Sequence, residues 1–153
     1  MASHTLTVGI PHRLLLACEA FGPRLSGAVV ADAISRGVQE GGMPEPDVCV
    51  LASDAQTALD PRRLLDDLGF DARMRSVRAV VIAAARLHEE TLAGSTTFEI
   101  ATRARQGGVP AYAIAGGNTL GAFDARILDL QLILEAHTRE KLVAAGRELS
   151  RLA

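Results

Sequence analysis

Apolar residues in this chain fall into short unbroken runs, separated by stretches in which they recur at helical spacing. Leu14-Leu15-Leu16-Ala17-Cys18 is the first such run; it ends before the Gly22-Pro23 break and predicts a strand buried on both faces. Ser26 then stands as an N-cap ahead of Val30, Ile34 and Val38, and Gly41-Gly42 with Pro44 ends that helix. The rhythm repeats. Asp47 to Ala52 predicts a second strand, and Asp60-Pro61 supplies the cap and first-turn proline of a helix carrying Leu64, Leu65 and Leu68 before Gly69. Val77 to Ala85 predicts a third strand. Thr96 to Glu99 has capping-box spacing ahead of a helix that runs to Gln106 and stops at Gly107-Gly108. Pro110 to Ala115 predicts a fourth strand, Gly116-Gly117-Asn118 a break, Ala122 to Leu128 a short helix and Leu130 to Leu134 a fifth strand. Thr138 caps a last helix with Leu142, Ala145, Leu149 and Leu152 along one face.

Strands alternating with helices predict a single α/β domain over residues 1–153, a three-layer doubly wound fold of the Rossmann-like or flavodoxin-like kind with a mostly parallel sheet of about five strands. Ligands of such sheets bind beyond the carboxyl ends of the strands, where the strand order reverses and two loops diverge. Three loops qualify: Glu19 to Ser26, Arg86 to Thr97 and Gly116 to Gly121. The first two carry Arg24 and Arg86, the second ends at a helix amino terminus with Ser95, Thr96 and Thr97, and all three contain glycine. That combination points to an anion site.

Composition narrows the function further. With 48% hydrophobic and 22% charged residues and a net charge of -2, the 153-residue chain is an ordinary globular one that needs no staples to build a core. One tyrosine, four phenylalanines and no tryptophan leave no stacking platform for single-stranded nucleic acid, so no nucleic-acid partner is expected. Apolar stretches such as Ala79 to Ala85 are too short to cross a bilayer, so no membrane partner is expected either. The apolar run near the start follows Pro11, His12 and Arg13, without a basic start or a small-residue cleavage site, and reads as a strand rather than a leader. Cys18 and Cys49 sit in strand-like runs, where two buried thiols and a cytoplasmic location are the expectation. The 16 basic residues include a single lysine, Lys141.

Several familiar motifs are ruled out. Gly116-Gly117-Asn118-Thr119-Leu120-Gly121 lacks G-x-G-x-x-G spacing, and turn chemistry alone accounts for it. A Walker-type loop needs a lysine that the body of the chain does not have. His88 stands beside Glu89 and Glu90, but His4, His12 and His137 are scattered, so no metal site is expected; His88 is either a solvated imidazole or a ligand contact near Arg86. Arg62, Arg63, Arg73, Arg75 and Arg78 are balanced by Asp60, Asp66, Asp67 and Asp71, which reads as a solvated helix face and loop. Ser53 and Asp54 form no G-x-S-x-G elbow, so hydrolase chemistry has no support.

Taken together, the three loops resemble the glycerate kinase family. Its first strand ends in Pro-Asp-x-Phe-Lys-Gly-Ser-Leu-Ser; the matching stretch here runs from Cys18 to Ser26, with Phe21, Leu25 and Ser26 in agreement, Glu19 in place of Asp, and the lysine gone. The family later has Gly-Glu-Gly-Arg-x-Asp-x-Gln-Thr-Leu-x-Gly-Lys. From Ala83 to Ser95 this chain agrees at Arg86, Thr91, Leu92 and Gly94 and has lost the two glycines, the Glu, the Asp and the Lys. The Gly108-Val109-Pro110 turn, the strand Tyr112 to Ala115 and Gly116 also resemble the family. Its members carry an inserted second domain after the second strand, preceded by a glycine-rich acidic motif; Leu51 to Ala55 holds that position here, with Asp54 its one remnant and a short helical connection in place of the insertion.

The resemblance implies phosphorylation of D-glycerate with ATP and Mg²⁺, the cofactors being expected only where kinase activity is kept. Loss of both loop lysines and most carboxylates removes the groups that position and neutralise a transferring phosphoryl group. The expectation is therefore a minimal glycerate-kinase-like domain that keeps an anion-binding crevice without kinase catalysis. Arg24, Arg86, Ser95 and Thr96 would contact the carboxylate or phosphate of a small anionic ligand. Glu19, His88 and Asn118 would orient it, and Phe21, Ser26, Gly94 and Gly116 would complete the loops. No catalytic residue and no metal ligand is assigned. An active kinase working as a homo-oligomer is one alternative; the other is a non-enzymatic assembly module in which the helix from Leu142 to Leu152 forms a dimer interface.

Overall fold

The computed structural model describes residues 12–51, 60–89 and 93–153. The expected end of strand two at Ala52, as well as Asp54, Thr91 and Leu92 of the family comparison, lies outside these residues. The element order is β1 (Leu14–Cys18), α1 (Gly27–Glu40), β2 (Asp47–Val50), α2 (Pro61–Asp67), α3 (Phe70–Met74), β3 (Ala79–Leu87), α4 (Thr96–Gly107), β4 (Ala111–Asn118), α5 (Ala122–Leu128), β5 (Leu130–Glu135) and α6 (Arg139–Leu152). All strand pairs are parallel and the sheet order is β2-β1-β3-β4-β5, the flavodoxin-like arrangement. This is the expected α/β fold. The chain first turns outward from β1 to β2 and then returns past β1 to β3, so the order reverses between β1 and β3.

β1 is paired on both edges, Leu16 lying between Val48 and Val81, and all five of its residues are fully buried. Its unbroken apolar run follows from that position, because helices cover both faces of the sheet. Leu14, Leu16 and Cys18 point toward α1 and α6, together with Val81, Ala83 and Ile114. Leu15 and Ala17 point to the opposite face with Val80 and Ile82, under Leu65, Phe70, Met74 and Ile100 from α2, α3 and α4.

The two layers are held differently. α1 and α6 cross in close contact: a Cβ at Gly37 would collide with the Val143 carbonyl, and one at Gly146 with the Ile34 carbonyl. The stripe of α6, Leu142, Ala145 and Leu149, is buried in this seam with Val30, Ile34 and Val38. Three of the four residues of the expected α6 stripe are thus covered within the chain, and Leu152 stays exposed. On the opposite face, the short helices are pinned by arginines. Arg73 of α3 donates to both carboxylate oxygens of Asp47, at 2.6 and 3.0 Å, and to the Val48 carbonyl at 2.9 Å. Arg103 of α4 reaches Glu99, Asp66 and Asp71 at 3.0 to 3.1 Å. The charge-balanced segment is thus more than a solvated surface: it holds α3, a helix the sequence pattern does not predict.

Three boundaries also move. β3 starts at Ala79 rather than Val77 and runs on to Leu87. Gly116, Gly117 and Asn118 do not break the chain but extend β4, since Gly117 and Asn118 pair with Arg86 and Leu87. Ser95, not Thr96, caps α4, its hydroxyl accepting from the Phe98 N–H at 3.0 Å. Cys18 and Cys49 are free and buried. Among the described residues, no helix is long and apolar enough to cross a membrane.

Candidate functional site

At the order reversal, the ends of β1 and β3 and the amino end of α4 enclose a cavity of about 160 Å³ lined by Glu19, Arg86, Leu87, His88, Ser95, Thr96 and Thr97. Glu19 is the first residue beyond β1. Its backbone N–H donates to the Ala83 carbonyl at 3.0 Å, and its carboxylate accepts from the Ala85 N–H at 3.0 Å, so both ends of the residue are tied to β3. Burial pushes the Glu19 carboxyl up from its ordinary value, and the Ala85 hydrogen bond opposes this only in part. Arg86 lies near the end of β3 with its side chain exposed, and His88 follows the strand at intermediate exposure. Ser95 and Thr96 are half-buried and Thr97 is buried in the first turn of α4. The twelve-residue α4 directs its unpaired amino-terminal N–H groups and the positive end of its dipole toward this corner.

The structure therefore gathers five of the expected residues: Glu19, Arg86, His88, Ser95 and Thr96. Thr97 and Leu87 join them; Thr97 could have been chosen from its place beside Ser95 and Thr96 in the first turn, whereas Leu87 contributes only because β3 runs longer than its apolar pattern. The cavity lining does not include Phe21, Arg24, Ser26, Gly94, Gly116 or Asn118. Arg24 is exposed at the tip of the tight Gly22–Leu25 turn. Ser26 is occupied as the cap of α1, accepting from the Val29 N–H at 3.2 Å. Gly94 turns the chain into α4 with φ of 77°. Asn118 accepts from the Leu120 N–H at 3.1 Å through its side chain. Gly116 serves packing: a Cβ there would lie 2.6 Å from the Ala85 carbonyl and 3.4 Å from the Phe21 ring, so β3, β4 and the first loop can close only over glycine.

The lining pairs a guanidinium and a helix amino end with one carboxyl group. This set can fix an anion on Arg86 and the α4 N–H groups while the Glu19 carboxyl meets a neighbouring hydroxyl. It offers Mg²⁺ little, since that ion is usually held by one or two carboxylates together with waters and phosphate oxygens, and this lining has one carboxyl group. Glu19 is the one carboxyl of the lining, is turned to a backbone N–H, and sits where burial favours its protonated form. Among the described residues, no three His, Cys, Asp or Glu side chains gather as a metal site. The cavity is smaller than the several hundred Å³ typical of sites for drug-sized molecules.

The glycerate kinase family model matches residues 41–146, from the end of α1 into α6. The chain belongs to the glycerate kinase family. The matched range contains β3, Arg86, His88 and the amino end of α4, whereas the loop from Glu19 to Ser26 precedes it. Membership supports a kinase-like fold for this chain. No curated protein matches it. Among solved structures, a phosphoheptose isomerase of Neisseria gonorrhoeae is similar at 18% identity and a TM-score of 0.40, over 92% of this chain and 77% of that one. A likeness at that level carries no functional argument.

Proposed function

We propose that this glycerate kinase family member binds a small anionic ligand, an organic acid or its phosphate ester, in the crevice between β1 and β3 and no longer transfers phosphate. The observation that carries this reading is the convergence of Arg86, Glu19 and the α4 amino end on one small cavity at the order reversal. In the ligand's bound pose, its carboxylate or phosphate meets Arg86 and the N–H groups of Thr96 and Thr97. Glu19 takes a hydroxyl, while His88 and Ser95 set the orientation. Loss of transfer is supported by chemistry: the loop positions where the family carries lysine hold Gly22 and Ser95 here. Lys141, the single lysine, lines a different cavity with Leu134 and Glu135, between β5 and α6. Free, buried Cys18 and Cys49 favour a reducing compartment, and we place the protein in the cytoplasm.

Isothermal titration with glycerate, phosphoglycerate and inorganic phosphate tests the site. Millimolar or tighter binding that Arg86→Ala weakens at least tenfold is the expected result, and no binding of any of the three by the wild type removes the reading. Incubation with ATP, Mg²⁺ and glycerate tests the second half: glycerate-stimulated ATP consumption by the pure protein would restore the kinase.

A further inference from the structure

Glu19 is the one carboxyl group in the lining of the cavity at the order reversal, and it is not free to leave. Its backbone N–H is held by the Ala83 carbonyl and one carboxylate oxygen by the Ala85 N–H, each at 3.0 Å, so β3 fixes the residue at both ends. Arg86 and His88 share the lining with it, and the amino turn of α4 adds Ser95, Thr96 and Thr97, which carry no charge. The acidic residue of that turn, Glu99, pairs with Arg103, while Glu89 beyond β3 and Arg24 of the first loop are exposed. None of the ion pairs among the described residues includes Glu19 or Arg86. A sphere of about 160 Å³ is about 7 Å across, so an anion held by Arg86 and the α4 N–H groups lies beside the Glu19 carboxyl.

We infer that a small anion enters this cavity together with a proton, that Glu19 takes the proton, and that affinity therefore falls as pH rises. The inference rests on the anion site proposed above. Two negative charges this close and partly shielded from water disfavour each other, and one of them is neutralised. The ligand's charge is met by a guanidinium and by helix N–H groups, whereas the Glu19 carboxylate has one backbone hydrogen bond and no ion pair, so the proton goes to Glu19. Burial already pushes this carboxyl up from its ordinary value, which lowers the cost of protonating it. In the protonated form the oxygen held by Ala85 goes on accepting, and the other carries an O–H that donates to the ligand. The proton comes from solvent and returns to it on release.

Calorimetric titration of the whole chain with glycerate, from pH 5 to 8 and in buffers of different ionisation heat, tests this. The expected result is uptake approaching one proton per glycerate, with affinity weakening by up to about tenfold per pH unit as the free site ionises. Glu19→Gln should bind glycerate with no uptake and a flat pH profile, and His88→Asn should keep the uptake whatever it does to affinity. Wild-type binding without proton uptake, or uptake that survives in Glu19→Gln, overturns the inference and leaves the anion site standing. No binding at any pH removes the site and the inference with it. Should Glu19→Gln fail to fold, His88→Asn decides: uptake retained supports Glu19, and uptake lost with the imidazole overturns it.

Discussion

The face of the sheet covered by α1 and α6 and the face covered by α2 to α5 solve the same problem with different means. On the first, two fourteen-residue helices approach so closely that glycine is needed at Gly37 and Gly146, and the side chains of the seam are apolar. On the second, the three helices other than α4 are seven residues or shorter; Arg73 and Arg103 hold α2 and α3, and Arg105 donates to the Ile127 carbonyl of α5. The close-packed face has hollows of its own, one along α1 and β2 and one between β5 and α6. The pinned face leaves a corner at the carboxyl ends of β1 and β3, and that corner is the cavity.

The sharpest way to break the contrast is Gly146→Val. Its Cβ would meet the Ile34 carbonyl and lie 3.0 Å from the Val38 nitrogen, backbone groups that cannot rotate away. We expect a loss of about 3 kcal/mol in urea denaturation. Arg73→Ala should cost less, about 2 kcal/mol, by stranding a part-buried carboxylate. The same pair makes stability depend on acid. Arg73 holds the Asp47 carboxyl below its ordinary value of 3.8, so its contribution is complete above that value and fades as pH falls through the lower folded value. Wild type should lose this increment on acidification and Arg73→Ala should not; parallel thermal melts would refute the coupling.

Ser95→Ala should cost about 1 kcal/mol through the lost α4 cap, and Ser95→Thr should restore most of it. If Ser95→Ala weakened ligand binding by no more than its effect on stability implies, the serine would belong to the helix rather than the ligand. The smallest effect is expected for Glu19→Gln. Burial raises the Glu19 carboxyl, so its stabilising share is present below the ordinary value of 4.5 and is lost as pH rises through the folded value. The amide should therefore melt higher than wild type at neutral pH and alike at pH below 4. A Glu19→Gln protein no more stable than wild type at pH 8 would place that carboxylate in water.

Much of this was legible in the residues. β1 and α5 fall where their apolar pattern ends, and Ser26, Asp60 and Thr138 cap helices as their side chains suggest. α3 escaped because five residues opened by a left-handed Gly69, with no side-chain cap, carry no helical signature. β4 was cut short because glycines signal turns locally, whereas Gly116 answers to a carbonyl on the neighbouring strand. At the site, Arg86 and Ser95 could be placed from the rule that ligands sit at the order reversal. Arg24 and Asn118 could not be, since whether a loop side chain turns inward depends on contacts far along the chain.

The seam between α1 and α6 also sets an order in time. Arg147 of α6 meets Glu40 of α1 across 107 residues of chain, and α6 follows all five strands of the sheet. Until α6 emerges, the part of the Ile34 and Val38 stripe that meets Leu142 and Leu149 has no cover, so a nascent chain would expose apolar surface while β2 to β5 are being made. Folding of this face is a late, long-range closure, and the interval before it is when a chaperone would find its binding site.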